Sequence, residues 1–184
     1  GRVAGKVGIA TVTHGPGLTN CVTALTEGAR GHIPMVLLAG DTDVSKPHNL
    51  QNIDQRETVK LTGAGFEQMR SPETASYDLA HALYRAKVEK RPIVLNMPVN
   101  FMWQKVEHVP HVFATFSAPA YVPEGDNLDK AVGMIASAKR PVVLAGIGAI
   151  GCVEQIQRLA DRLEAPLATT LKAKGMFSKH PFNI

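Results

Sequence analysis

The 184-residue sequence is 45% apolar and 20% charged, proportions that suit a packed core and argue against disorder. Its net charge of +4 comes from scattered lysines and arginines with no basic stripe, which excludes a nucleic-acid surface as the expected partner. No apolar run is long enough for a membrane span, no basic and apolar leader opens the chain, and two lone cysteines suit buried thiols in a reducing cytoplasm.

The first strand is expected at Val7–Val12, and a helix at Thr19–Gly31, ended by Gly31 and Pro34. Between them stands Thr13-His14-Gly15-Pro16-Gly17-Leu18-Thr19-Asn20, a strand-to-helix bend with Thr19 and Asn20 as candidate N-caps. Glycine lets another group approach the backbone, and proline fixes the loop's shape. A helix start also offers unpaired N–H groups, so such a bend suits a polar ligand. Met35–Ala39 reads as a buried strand. Gly40–Arg56 lacks periodicity and reads as a long ordered loop, a kind that usually carries function.

A short strand is expected at Phe66–Arg70, a helix at Glu73–Glu89 and a strand at Ile93–Met97. The helix has Ala75, Leu79, Ala82, Leu83 and Ala86 at helical spacing. Apolar strands alternating with helices imply an α/β fold, a mainly parallel sheet with helices on both faces. Proline-rich sequence from Pro98 to Pro123 has no helical period and reads as a linker. A second α/β unit follows, with helices at Leu128–Ala138 and Cys152–Leu163 and strands at Val142–Ala145 and Pro166–Thr169. The domain expectation is 1–107, a linker at 108–123, and 124–184 as the first part of a Rossmann-like domain.

Several segments together resemble the thiamine-diphosphate enzymes, the acetolactate synthase-like group in particular. They are Gly5-Lys6-Val7-Gly8, the Thr13–Asn20 bend, Ile33-Pro34-Met35-Val36 and Asp54-Gln55-Arg56-Glu57. Lys90 through Pro98 is similar to that group's "RPGPVLVDIP" strand. Lys139 through Gly146, Ala165-Pro166-Leu167 and Lys172-Ala173-Lys174-Gly175 resemble its central domain. The resemblance implies a pyrimidine-binding domain followed by part of a central domain. It further implies thiamine diphosphate and Mg2+ as cofactors, a 2-keto acid or related acyl donor as substrate, and at least a homodimer sharing the cofactor.

By the same resemblance Gly15, Pro16, Gly17, Asn20 and Gln55 are the cofactor-binding candidates, Pro16 by its backbone and Asn20 by its amide. His14 and Asp54 are the candidates on the substrate side. The group generally has a phenylalanine where Asp54 stands, which leaves decarboxylation, carboligation and acyl transfer all open. The activating glutamate is expected upstream of Gly1, and the metal cradle in another domain, so these residues alone are expected to be inactive.

Gly146-Ile147-Gly148-Ala149-Ile150-Gly151 is a literal GxGxxG between a strand and a helix, the setting of a dinucleotide site. The acid that should end the next strand is missing, since Thr169 and Thr170 stand there. Gly146, Gly148 and Gly151 therefore remain candidates for FAD or another nucleotide, or for a plain turn. A dinucleotide-binding module and a noncatalytic scaffold are the alternatives. No metal site is expected, because the seven histidines are scattered and neither cysteine lies in a C-x-x-C pair.

Overall fold

The computed structural model describes residues 5–43, 45–111, 113 and 122–184, divided between two units, 1–117 and 118–184. In the first unit the elements run β1 (Gly8–Val12), α1 (Pro16–Thr19), α2 (Val22–Arg30), β2 (Met35–Asp41), α3 (Gln55–Lys60), β3 (Gly65–Gln68), α4 (Ala75–Glu89), β4 (Pro92–Pro98) and α5 (Val99–Met102). The four strands pair in parallel in the order β1-β2-β4-β3. Because all four point the same way, their C-terminal ends form one rim, where α/β folds gather ligands.

Alternation along the strands sorts the core into two layers. Leu37, Ala39 and Val94 pack with Leu18, Leu25 and Val59 beneath α1, α2 and α3. Val36, Ile93 and Leu95 face the other way and pack with Ala82 and Ala86 of α4. Most of these side chains lose all contact with water, and each large one contributes roughly 1.5–3 kcal/mol. That burial holds α1 and α3, which are too short to persist alone.

Several local expectations shift. Thr19 and Asn20 are not N-caps, because Pro16 has already begun a helical turn with Gly15 as its cap residue. The Thr19 hydroxyl instead bonds back to the Pro16 carbonyl at 3.1 Å. His32, not Gly31, takes the left-handed conformation after α2, at φ 53°. The expected loop from Gly40 to Arg56 is shorter at both ends, since β2 continues to Asp41 and α3 begins at Gln55. Residues 104–111 and Phe113 belong to the first unit, with His108 3.3 Å from the Ser76 hydroxyl and His111 edge-on to Tyr77 of α4.

The second unit contains α6 (Asp126–Ala136), β5 (Val143–Ala145), a 3-10 helix (Ile147–Cys152), α7 (Val153–Leu163), β6 (Leu167–Thr169) and a short 3-10 helix (Leu171–Ala173). Strands β5 and β6 are parallel, and Ala145, Ala160, Leu167 and Phe177 form the core between them and α7. Val153, Ile156 and Ala160 recur on one face of α7, which is why that helix docks. No residue of α6 is buried, and Val142, just before β5, and Leu144 within it are mostly exposed. Cys152, expected to be buried, is exposed because it ends the 3-10 helix before α7 begins.

An ion-pair chain ties the far edge of the first sheet to α4. Glu67 of β3 meets His81 and Arg85, Arg85 also grips Glu89, and Arg91 closes on Glu89 from the next turn. Burial pushes the Glu89 carboxyl up, but hydrogen bonds from Arg85 and Arg91 outweigh it and hold the group below the ordinary 4.5. A depressed carboxylate stabilises the fold above its unfolded pKa and loses that contribution as pH falls through the folded value. Glu89→Gln should therefore destabilise the protein most near neutral pH. In urea denaturation the gap from the parent should narrow below about pH 4.5, and a gap that stays constant from neutral to acid pH would contradict this assignment.

Candidate active site

The site begins with a backbone that only glycine tolerates. Gly15 sits at φ 58°, ψ −111°, and a Cβ placed there would lie 2.2 Å from the Gln51 carbonyl oxygen. Gly17 is nearly as confined, with its would-be Cβ 2.8 Å from the Thr13 methyl. Pro16 then occupies the first helical position, where its missing N–H costs nothing. The Gly-Pro-Gly run is thus a corner at the sheet rim, fixed by sterics on one side and by ring closure on the other.

The corner is braced from beneath. Gln55, only 3% exposed, accepts from the Gly15 N–H at 2.8 Å. Its amide nitrogen donates to the Gly40 carbonyl at 2.9 Å and to the side-chain oxygen of Asn96. Asn96, also buried, donates to Asp41 at 2.6 Å and to Gln68 at 2.9 Å. The sheet register explains this meeting, since Asn96 of β4 lies level with Ala39 of β2 and Gln68 of β3. Asp41 is two residues beyond Ala39, on the same face of β2.

Gln55 is held in place by its own helix. Asp54 caps α3 by accepting from the Glu57 N–H at 2.9 Å, so Gln55 is presented from a fixed first turn. Beside it opens a polar cleft of about 340 Å³, whose walls include Asp41, Thr42, Asn52, Asp54, Gln55 and Arg56. The Arg56 guanidinium lies 4.5 Å over the Phe66 ring at the cleft's edge, a cation–π contact that orients it. On the outer side of the loop, hydrogen bonds from the Ser45 backbone and hydroxyl hold the Asp43 carboxyl below its ordinary value.

The structure places the sequence candidates unequally. Gly15 and Gln55 are in direct contact, and Asp54 stands next to them as a cap. Asn20 is exposed at the end of α1, and its side chain makes no hydrogen bond among the described residues. The Pro16 carbonyl already accepts from the Asn20 N–H and the Thr19 hydroxyl, so that backbone has no hydrogen-bonding capacity left for a ligand. His14 is half-buried, its Nδ1 3.8 Å from where a Gly40 Cβ would stand. Asn96 and Gln68 escaped the sequence reading. The available signal for Asn96 was one polar residue inside the apolar run Ile93–Met97, which a buried strand must provide with partners.

The second glycine cluster behaves differently. Gly146, Gly148 and Gly151 all have negative φ, and a Cβ at Gly148 or Gly151 would meet nothing within 4 Å. The segment winds into a 3-10 helix with Ile147 and Ile150 partly exposed. Among the described residues no group of three or more His, Cys, Asp or Glu could hold a metal, and no helix is long and apolar enough to cross a membrane.

Comparison with known proteins agrees with this geometry. Residues 1–59 match the family model for the "Thiamine pyrophosphate enzyme, N-terminal TPP binding domain", and residues 128–184 match the one for its "central domain". The chain is 30% identical over 183 residues to a probable 2-ketoarginine decarboxylase of Pseudomonas aeruginosa, covering 95% of this chain and 32% of that protein. It is 30% identical over 193 residues to a sulfoacetaldehyde acetyltransferase of Alcaligenes xylosoxydans, covering 98% and 30%. It is 28% identical over 188 residues to an acetolactate synthase large subunit of Corynebacterium glutamicum, covering 96% and 29%. The chain spans about a third of the length of these curated relatives.

The two glycine clusters yield opposite expectations. Gly15→Ala should cost at least about 2 kcal/mol, because it combines a strained φ with a clash against backbone. Gly148→Ala should change stability by no more than about 0.5 kcal/mol. Thermal denaturation of both variants checks the pair, and equal effects would show that the corner is not the constrained element.

Proposed function

This chain belongs to the thiamine pyrophosphate enzymes, and from that premise we propose that it forms the pyrimidine side of an active site for a 2-keto acid or related acyl donor. The reaction class is decarboxylation followed by protonation or by transfer to a second carbonyl. The carrying observation is the Gly15-Pro16-Gly17 corner, locked at the rim of a parallel sheet by the buried amide of Gln55. When bound, thiamine diphosphate supplies the electron sink for losing carbon dioxide.

What this chain contributes is shape and orientation. Pro16 offers an exposed ring against which a flat heterocycle packs, and Asn20 offers a side-chain amide with no competing partner among the described residues. Gly15 and Gly17 let the corner pack close against Gln51 and Thr13, which fixes the position of that surface. Gln55 acts from behind, since its hydrogen-bonding atoms are already engaged within the protein. The cleft bounded by Asp41, Asp54 and Arg56 is the substrate-side candidate. Its polar walls suit a substrate tail with polar groups better than a purely alkyl one.

Mg2+ and the diphosphate fall to residues outside those described here, because no acidic cluster suited to a metal stands among them. A second subunit facing the corner is part of this proposal, as is a cytoplasmic setting, which suits the exposed and unpaired Cys152.

The test uses the full-length protein that contains this chain. Calorimetric titration with thiamine diphosphate and Mg2+ should give saturable binding, and mixed 2-keto acids should release carbon dioxide. Asn20→Ala should weaken cofactor binding by about tenfold, the scale of one hydrogen bond lost from a desolvated site. Absence of both binding and carbon dioxide release would remove the proposal.

A further inference from the structure

We infer that Asn96 is a positioning residue for the cofactor corner, through which the Asp41 carboxylate clamps Gly15 by way of Gln55. The inference rests on reading that corner as the cofactor's pyrimidine side. The hydrogen bonds run head to tail in one direction. Gly15 N–H donates to Gln55, Gln55 donates to Asn96, and Asn96 donates to Asp41. A carboxylate at the end of such a chain makes each amide oxygen along it a better acceptor, so the bond to Gly15 is strengthened at a distance.

Only an amide serves at position 96. Asn96 must accept from Gln55 with its oxygen while giving its two N–H bonds to Asp41 and Gln68. A leucine of similar size would remove the acceptor for the buried Gln55 amide and the donors for the half-buried Asp41 and Gln68, and an aspartate would set a second carboxylate against Asp41. The Gln55–Asn96 bond itself is shielded, since Asn96 is 2% exposed and Gln55 3%. The neighbouring charged and titratable groups are Asp43 and Asp54 beside the cleft, Arg56 on α3 and His14 next to Gly40. Helix α4 packs on the opposite face of the sheet.

The decisive variant is Asn96→Asp, which keeps size and shape but removes the donor. In the full-length protein at about pH 8 it should speed hydrogen exchange of the Gly15 amide, corrected for intrinsic rate, by about tenfold or more. The dissociation constant for thiamine diphosphate should rise by a similar factor. Lowering the pH far enough to protonate the carboxyl pair should recover both. So should the double variant Asp41→Asn with Asn96→Asp, which swaps amide and acid while preserving the pairing.

A purely structural role would lower the melting temperature without pH recovery or rescue by the swap. Parent-like exchange and affinity in folded Asn96→Asp, or loss of both without rescue, would overturn the inference. If Asn96→Asp does not fold, Asp41→Asn keeps the Gln55 and Asn96 amides, removes the terminal charge and leaves one oxygen where the carboxylate has two, accepting from the Thr42 N–H and from Asn96. Exchange at Gly15 should then still quicken, and an unchanged rate counts against the inference. Should the parent bind no thiamine diphosphate, the functional reading falls while the exchange measurements still decide the clamp.

Discussion

The bond from the Gly15 N–H to the buried Gln55 side chain is the interaction on which the rest of the first unit's rim depends. Gly15 holds a backbone geometry closed to residues with a Cβ, and an isolated chain would leave it for lower-energy regions. Gln55 supplies a fixed acceptor because Asp54 caps its helix and because Val59, fully buried, anchors that helix to the sheet. Asn96 fixes the other end of the Gln55 amide. The corner's shape is therefore set by elements far apart in sequence, and no local segment could maintain it.

Burial makes this arrangement strict. In water each of these amides would exchange partners at little net cost, and a lost hydrogen bond would matter by about 1 kcal/mol. Within the sheet rim Gln55 and Asn96 are almost wholly buried, so a partner missing there costs more of the desolvation of the group left behind. The result is a site whose polar interior is satisfied and whose outer face is held still. Such rigidity favours binding, since a preformed corner loses little further freedom when a planar ligand packs against it.

Much of this could be seen in the residues. The Gly-Pro-Gly bend, the alternation that makes a parallel sheet, and the ladder of apolar residues on α4 are local patterns with local causes. The strand order β1-β2-β4-β3 was beyond reach, because it depends on which apolar edges meet after collapse. Helix α3 was missed although Asp54-Gln55-Arg56-Glu57 has the spacing of a helix cap, with an acid at the cap and another three residues on. Its apolar pattern is too short to register as helical, and Val59 is its one buried apolar residue. Asn96 was hidden for a related reason. A polar residue in an apolar run signals a network, but it does not name Asp41, Gln55 and Gln68 as the members.

The two glycine motifs show why spelling and chemistry part company. GxGxxG in the second unit satisfies the sequence pattern of a nucleotide site, yet its glycines have negative φ and open space around Gly148 and Gly151. Alanine could stand at those two positions without a clash, so nothing there obliges glycine. At Gly15 the reverse holds: positive φ and a carbonyl 2.2 Å from the absent Cβ leave no alternative residue. A glycine is obligatory when the backbone needs what only glycine allows, and by that criterion the corner of the first unit, not the loop of the second, is the constrained element.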